Sequence, residues 1–273
     1  MVPPPNAFSN ELGQWIYNQF ITSIMFVELQ AVEPASVREF WESVAPIPNP
    51  NTAAGKAKQL ERIRQSENSL SATGFVLRQT SRSIWILTCA HVLGPAYSRN
   101  RPITVQEIGD LFTAWITCDH QEQHFLGGEY QERVYTKAKV VGVCCRMDLL
   151  LLRVRTADFC PELHRPLSIS AHAPVPLERV VMLSWPPLRN RTATVGELSH
   201  QGREHRSLSR SNPRGYEMLL SEVSIPSDLG SSGAPLINGA GEVVAVLQSG
   251  FGGRFSYFIS LDNIQQALQE FGF

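Results

Sequence analysis

Short apolar segments separated by polar turns recur along the chain between residues 72 and 260. Segments of this length that are rich in β-branched and aromatic residues predict β-strands. The predicted strands are 73–77, 83–88, 113–117, 138–144, 149–154, 179–184, 193–199, 216–222, 234–237, 243–248 and 255–259. Many short strands at this spacing are typical of an all-β sandwich or barrel.

Helical periodicity is found at the two ends of the chain. Residues 12–21 predict an amphipathic helix, and the apolar run at 21–29 predicts a strand directly after it. Polar residues such as Gln19 and Glu28 interrupt this stretch, which argues against a membrane span. Near the C-terminus, apolar residues repeat at helical spacing with Ser260 or Asp262 as the cap, so a terminal helix is predicted there.

Residues 30–70 interrupt the strand pattern and are interpreted as an insertion. Pro34 suits the first turn of a helix over 34–44, the proline-rich 46–51 forms a linker, and the charged 53–66 predicts a second helix. Two interpretations remain open for the insertion, namely a solvated appendage or an element that docks a partner or gates a substrate.

Composition limits the classes of partner. Of the 273 residues, 43% are hydrophobic and 18% are charged, as in an ordinary soluble globular protein. The formal net charge is −1, so we expect neither nucleic acid nor an anionic membrane as a partner.

The cysteines indicate a reducing compartment. They are Cys89, Cys118, Cys144, Cys145 and Cys160, an odd number without a pairing pattern. The first residues lack the basic start and apolar core of a signal peptide. We therefore expect free thiols and a cytoplasmic location, with the nucleus as the alternative.

Three segments carry the residue types that acyl transfer needs. They are ILTCAHV at 86–92, DLLLLRV at 148–154 and GSSGAPL at 230–236. A serine hydroxyl needs a neighbouring base, and histidine accepts and returns a proton near neutral pH. A carboxylate fixes the histidine tautomer and stabilises the imidazolium. Asp148 suits this role because a carboxylate beside four leucines is costly to bury unless it is paired.

These segments, in the order His91, Asp148, Ser232, resemble those of chymotrypsin-fold serine proteases, and in particular the HtrA/Deg branch. The resemblance implies two six-stranded antiparallel β-barrels, with a helical N-terminal insertion and a C-terminal helix. It divides the chain into 1–70 (N-terminal helix, first strand and insertion), 71–170 (first barrel with His91 and Asp148) and 171–273 (second barrel with Ser232). Nothing after Phe273 provides the PDZ domain of many HtrA proteases. A trimer is also implied, although the insertion makes that transfer less direct.

The turn around Ser232 is expected to form an oxyanion hole. Gly230 permits a tight turn through Ser231, so that the amides of Gly230 and Ser232 converge on one point. Ser231 is the alternative nucleophile, and its position is where digestive relatives carry an acid.

The base and the carboxylate each have a competing interpretation as well. His91 is alternatively a histidine of the core without a catalytic role, and the carboxylate is alternatively Asp119, Asp158 or Asp228. The matching frames around His91, Asp148 and Ser232 favour the triad, since each of the three competing acids lies in a polar or turn-like segment.

The resemblance also suggests where a peptide substrate binds. The residues before the nucleophile are expected to wall the first specificity pocket, and the following strand is expected to offer its edge to an extended peptide. The candidate residues are Pro226, Ser227, Asp228, Leu229, Leu247, Gln248 and Ser249. With no acid at the pocket base, we expect cleavage after small or medium apolar residues.

No cofactor or metal is expected from the sequence. Cys118, His120 and His124 lie close together, but no CxxC or HExxH spacing supports a metal site. The leading hypothesis is therefore a cofactor-free serine endopeptidase that acts on proteins or peptides. The rival is a catalytically idle module that uses a protease fold for binding or scaffolding.

Overall fold

The computed structural model describes residues 10–124, 131–187, 191–209, 211–250 and 253–273, with the backbone alone at 123, 124, 131 and 132. The described helices are α1 (Asn10–Phe20), α2 (Pro34–Val44), α3 (Ala53–Glu67), α4 (Val105–Leu111), α5 (His205–Leu208) and α6 (Leu261–Glu270). The described strands are β1 (Ile24–Ala31), β2 (Leu70–Gln79), β3 (Ser83–Cys89), β4 (Phe112–Thr117), β5 (Glu122–His124), β6 (Gln131–Arg133), β7 (Thr136–Cys144), β8 (Leu149–Arg155), β9 (Arg179–Ser184), β10 (Thr192–Glu204), β11 (Leu219–Val223), β12 (Pro235–Ile237), β13 (Val243–Gly250) and β14 (Ser256–Ser260).

Twelve of these strands close into two barrels of six strands each. The first barrel has the order β1-β2-β3-β8-β7-β4, and the second has the order β10-β11-β14-β13-β12-β9. All neighbouring strands are antiparallel, and β5 and β6 form a separate hairpin. The predicted pair of six-stranded antiparallel barrels is therefore confirmed.

Burial follows the strand period where one face of a strand is exposed. Residues of β7 alternate between buried and more exposed, as expected when only one face of a strand meets the core. In β8 the four leucines are all buried, so both faces of this part of the strand are covered. These closed sheets leave few free strand edges and hold their loops in defined positions.

The N-terminal region contributes to the first barrel. Helix α1 is confirmed, but a 3₁₀ turn at Ile21–Ser23 delays the following strand, which begins at Ile24 rather than at residue 21. Strand β1 closes the barrel by pairing with both β2 and β4.

The two predicted helices of the insertion are also confirmed, and α2 is anchored in the core. Trp41 is completely buried, and its indole Nε1 donates a hydrogen bond of 3.2 Å to the Leu93 carbonyl. The more charged α3 is largely exposed. The solvated-appendage interpretation is thus wrong for α2, because Trp41 packs behind the turn that contains His91.

Two further elements differ from the prediction. Helix α4 was not predicted, although Thr104 and Glu107 form a reciprocal capping box at its start. Strand β11 begins at Leu219 rather than at residue 216, because the Tyr216 backbone bonds to the side chain of Asn212 instead of a strand. No helix among the described residues has the length and apolar character needed to cross a membrane.

Candidate active site

His91 and Asp148 are brought together by the pairing of β3 with β8. The two strands align Cys89 with Leu149 at their ends, and the Ala90 amide donates to the Asp148 carbonyl at 2.9 Å. His91 then lies in a 3₁₀ turn, Ala90–Leu93. Its backbone amide donates to Asp148 Oδ1 at 2.7 Å, and its ring Nδ1 lies 2.6 Å from Asp148 Oδ2. The carboxylate therefore fixes both the turn and the ring.

Asp148 is completely buried, with its backbone in the left-handed region at φ 56°. Besides the two bonds from His91, it accepts one from the Tyr97 hydroxyl at 2.8 Å and one from Gln248 Nε2 at 3.3 Å. Burial acts to raise the pKa of Asp148, but the interactions with His91 and Tyr97 outweigh it and the pKa is lowered. The side chain is therefore a carboxylate that holds the imidazole.

The His91 ring is poised to carry a proton. Burial acts to lower the pKa of His91, but the adjacent Asp148 carboxylate outweighs it, with a contribution from Cys89, and the pKa is raised. With Nδ1 held by Asp148, Nε2 is the nitrogen available for proton transfer. Cys89 Sγ lies 3.7 Å from that nitrogen.

Two tyrosines and an arginine surround the carboxylate. The Tyr97 hydroxyl lies 3.2 Å from that of Tyr216, to which Arg214 Nη1 donates at 3.0 Å. The Arg214 guanidinium also lies 5.3 Å from the Tyr97 ring centroid. Burial and the nearby carboxylate raise the pKa of Tyr97 well above its usual value, so its hydroxyl stays a donor. Sequence reasoning missed all three residues, since nothing local to them signals a contact with Asp148.

Ser232 lies in a turn built by glycines. Gly230 has φ 85°, and a Cβ at this position would lie 2.3 Å from Cδ of Pro187, so only glycine fits. The Ser231 amide donates to the Asp228 carbonyl at 3.1 Å, and the Gly233 amide donates to the Leu247 carbonyl at 2.8 Å.

In contrast, the amides of Gly230 and Ser232 donate no hydrogen bond within the described part of the chain. An oxyanion hole requires two backbone amides that are close together and available to donate. The amides of Gly230 and Ser232, on either side of Ser231, meet this requirement.

Thr73, on β2 of the first barrel, ties this turn in place. Its amide donates to the Ser232 carbonyl at 2.9 Å, and its hydroxyl donates to the Gly230 carbonyl at 2.9 Å. The same hydroxyl accepts from the Trp185 amide at 2.9 Å. Thr73 is completely buried and was not predicted to belong to the site, because its partners lie far away along the chain.

The competing candidates for nucleophile and carboxylate occupy different environments. Ser231 is 1% exposed and its hydroxyl points to that of Ser184, whereas Ser232 is partly exposed. Asp119 forms an ion pair with Arg191, and Asp158 forms one with Arg155. The geometry therefore favours Ser232 over Ser231, and Asp148 over these two carboxylates.

No hydrogen bond joins the hydroxyl of Ser232 to His91 Nε2 among the described residues. Catalytic hydrogen bonds are often long in the absence of substrate and tighten when substrate binds.

The expected substrate-binding residues fall into two groups. Pro226, Asp228 and Leu229 are exposed, Ser249 is partly exposed, and the Ser227 hydroxyl accepts from Ser256 at 2.9 Å. Leu247 and Gln248 are buried instead. The Leu247 amide and carbonyl bond to Ala234 and Gly233 in the turn that follows Ser232, and the Gln248 side chain reaches Asp148, so both support the site from within.

Comparison with known proteins identifies one protein family and several solved structures with a similar fold. The family model for the trypsin-like peptidase domain matches residues 72–246, which is more than half of the chain. The chain belongs to the trypsin-like peptidase family. This peptidase matches no curated protein closely enough to count as a relative.

Solved structures share the peptidase's fold at low sequence identity. Deg5 is 16% identical with a TM-score of 0.59, and the match covers 96% of this chain and 95% of that one. The Rv3671c protease of M. tuberculosis in its active form is 15% identical with a TM-score of 0.59, covering 100% and 88%. The HtrA-type protease AlgW with a tripeptide is 14% identical with a TM-score of 0.57, covering 94% and 61%. The predicted resemblance to the HtrA/Deg branch is confirmed at the level of fold.

Proposed function

We propose that this trypsin-like peptidase is a serine endopeptidase that hydrolyses peptide bonds of protein or peptide substrates. The observation that supports the proposal best is the 2.6 Å contact between His91 Nδ1 and the buried Asp148 carboxylate. In this mechanism Asp148 orients the ring, His91 is the base, and Ser232 is the nucleophile.

The reaction follows from these assignments. Ser232 Oγ attacks the scissile carbonyl carbon while His91 Nε2 takes its proton. The carbonyl oxygen becomes an oxyanion that the amides of Gly230 and Ser232 stabilise, each donor contributing about 3–4 kcal/mol. The C–N bond then breaks, and His91 returns the proton to the leaving amine. Water repeats the sequence to release the acyl group, with no cofactor.

Cys89 gives the resting site a specific arrangement. Its sulfur is the polar neighbour of His91 Nε2 at 3.7 Å. The proposed mechanism requires the Ser232 hydroxyl to donate to this same nitrogen when substrate binds.

The segment before Ser232, which family resemblance makes one wall of the first specificity pocket, supports cleavage after small or medium apolar residues. Ser256 donates to Ser227 at 2.9 Å, and a Cβ at Gly250 would lie 2.4 Å from Ser227 Oγ. These close contacts leave little room beside Ser227, which limits the size of the substrate side chain that can enter there. Asp228 is exposed, which does not favour an acid buried beneath the substrate side chain.

A fluorophosphonate probe tests the nucleophile, because it labels only an activated serine. The wild-type chain is expected to react and Ser232→Ala to lose the label, with turnover of a peptide library lowered about 10⁶-fold. Ser231→Ala, which removes the neighbouring hydroxyl, is expected to keep the label. Equal turnover by wild type and Ser232→Ala rejects the proposal.

The idle binding module is the second candidate, and the missing hydrogen bond between Ser232 and His91 favours it. It predicts that the wild-type chain stays unlabelled even with peptide added, while still binding that peptide. Labelling of the wild type excludes it.

Assembly and location complete the proposed function. A trimer follows from family resemblance, and light scattering that gives a monomer mass contradicts it. All five cysteines are free and buried, which supports a cytoplasmic or nuclear location. Recovery of the tagged protein in a secretory fraction contradicts that location.

A further inference from the structure

Four potential metal ligands meet at one edge of the first barrel, and none of them belongs to the proposed triad. Cys118 follows β4, and His120 lies in the next 3₁₀ turn, Asp119–Gln121. Cys160 and His164 lie in the connection that leaves β8 for the second barrel. One donor atom from each of the four lies within 4.8 Å of all the others. Two pairs of residues that are far apart along the chain thus converge on one small volume.

His164 provides an independent indication that something binds there. Its ring is completely buried, and Nδ1 donates to the Thr22 carbonyl at 2.6 Å. The remaining nitrogen, Nε2, is buried and has no hydrogen-bond partner in the described part of the chain. A buried polar atom left unpaired costs about 1–3 kcal/mol. In addition, a ligating histidine commonly donates its other ring N–H to a carbonyl or carboxylate, as His164 does to Thr22.

The two sulfurs are also suited to a metal. Cys118 and Cys160 are both buried and are free thiols. Cys118 Sγ makes a long hydrogen bond of 3.6 Å to Gln121 Oε1, which is a weak contact for a metal bond to replace. Two thiolates with two imidazoles are the typical ligands of a structural zinc site.

The spacing of the donors agrees with this ion. Bonds of about 2.0–2.3 Å in a tetrahedron place the donor atoms about 3.3–3.8 Å apart. Donors that already lie within 4.8 Å need to close by at most about 1–1.5 Å. His120 is exposed, so solvent reaches the site from that side and an ion can enter.

We propose that Cys118, His120, Cys160 and His164 bind one Zn²⁺ in a closed tetrahedral site. Each thiol releases its proton to solvent, so the two thiolates neutralise the ion. Because all four positions are filled by the protein, no site is left for water or substrate, and the role is structural rather than catalytic.

The site would fasten three parts of the chain together. The metal links the end of β4 to the connection between the barrels, and the Thr22 carbonyl ties His164 to the N-terminal segment. Asp119, between two of the ligands, pairs with Arg191, which directly precedes β10 of the second barrel. Zinc is therefore expected to stabilise the arrangement of the barrels, which holds independently of whether the chain cleaves peptides.

This zinc site departs from the expectation of no metal. In the sequence, His124 is the next histidine or cysteine after Cys118 and His120, and that set is not a recognisable site. The pattern that the fold assembles, C-x-H followed by C-x₃-H, has its two halves on separate elements.

Metal content of the wild-type full chain provides the first test. The protein is purified in reducing buffer with zinc sulfate, dialysed, and analysed by plasma mass spectrometry, with about one zinc per chain expected. A second sample is stripped with chelator and titrated with Co²⁺, and thiolate-to-cobalt charge transfer with a tetrahedral visible spectrum is expected. Folded wild-type protein that holds no zinc and gives no such spectrum overturns the proposal.

Variants test the assignment of ligands. Cys160→Ser and His164→Asn are each expected to weaken Co²⁺ binding by more than about 100-fold, since loss of an outer partner alone costs 10–100-fold. Cys145→Ser, another buried thiol of the first barrel, and His172→Asn, an exposed histidine, are matched controls that keep the metal. Undiminished binding by both ligand variants overturns the proposal. If those variants do not fold, the wild-type cobalt spectrum decides.

Discussion

Two histidines of this peptidase are held in nearly the same way and sit in different surroundings. Nδ1 of His91 lies 2.6 Å from a buried carboxylate, and Nδ1 of His164 lies 2.6 Å from a backbone carbonyl. In both cases Nε2 remains for other chemistry. The carboxylate stabilises a positive ring, which suits a base that must hold a proton during catalysis. A neutral carbonyl favours a neutral imidazole, the form that binds a metal.

The neighbours of Nε2 make the same distinction. His91 Nε2 has one sulfur, that of Cys89, at 3.7 Å. His164 instead belongs to a cluster with two sulfurs and a second imidazole. The comparison shows that the partner of one ring nitrogen, together with the groups around the other, determines what a histidine can do.

The largest effect is expected from the removal of His91. His91→Ala is expected to lower kcat about 10⁶-fold, because the nucleophile loses its base. The same variant is expected to keep its zinc, since the two histidines belong to separate clusters. Peptide turnover and metal content are measured on the same preparation, with His172→Ala as the control. Activity within tenfold of wild type contradicts the assignment of His91.

A smaller effect is expected from Thr73, which connects the barrels. Thr73→Val keeps the side-chain shape but removes the hydroxyl that bonds to the Gly230 carbonyl and the Trp185 amide. A displaced nucleophile turn is expected to lower kcat about 10²-fold. Thr136→Val, which alters another buried strand threonine of the first barrel, is the control. Thermal melts separate loss of fold from loss of positioning, and equal kcat for the two variants refutes the role.

The smallest effect concerns pH. Because the pKa of His91 is raised, kcat/KM is expected to rise about tenfold per pH unit until His91 loses its proton, at a pH above 6.5. The stability contributed by protonated His91 is fully present below the unfolded pKa of about 6.5 and is lost as pH rises through the folded pKa.

A pH–rate profile of the wild type checks this, and Asp148→Asn serves as the comparison. Removing the carboxylate charge is expected to move the rise of kcat/KM to lower pH. If kcat/KM of the wild type already levels off at or below pH 6.5, the stabilisation of protonated His91 by the Asp148 carboxylate is contradicted.

Much of this fold and part of its site could be predicted from local patterns. Strand periodicity located the barrel strands, and the segments around His91 and Asp148 were correctly expected to lie together. Helix α4 was predictable as well, because its Thr104–Glu107 capping box is visible in the sequence. Arg214 was not, since an arginine in a polar loop gives no local sign that it reaches Tyr97 and Tyr216.

Features that depend only on neighbouring residues can be read directly from the sequence. They are the strand and helix periods, the glycine turn at 230–233, and the residue types for acyl transfer. Tertiary structure alone decided the contacts between distant residues. The Thr73 hydroxyl bonds to the Gly230 carbonyl, 157 positions away along the chain. Cys118 lies near Cys160 because β4 ends at the same edge of the barrel at which the connection after β8 begins. Periodicity and propensity act over a few residues, whereas these contacts arise from how the two barrels and their connections pack together, which no short stretch of the chain encodes.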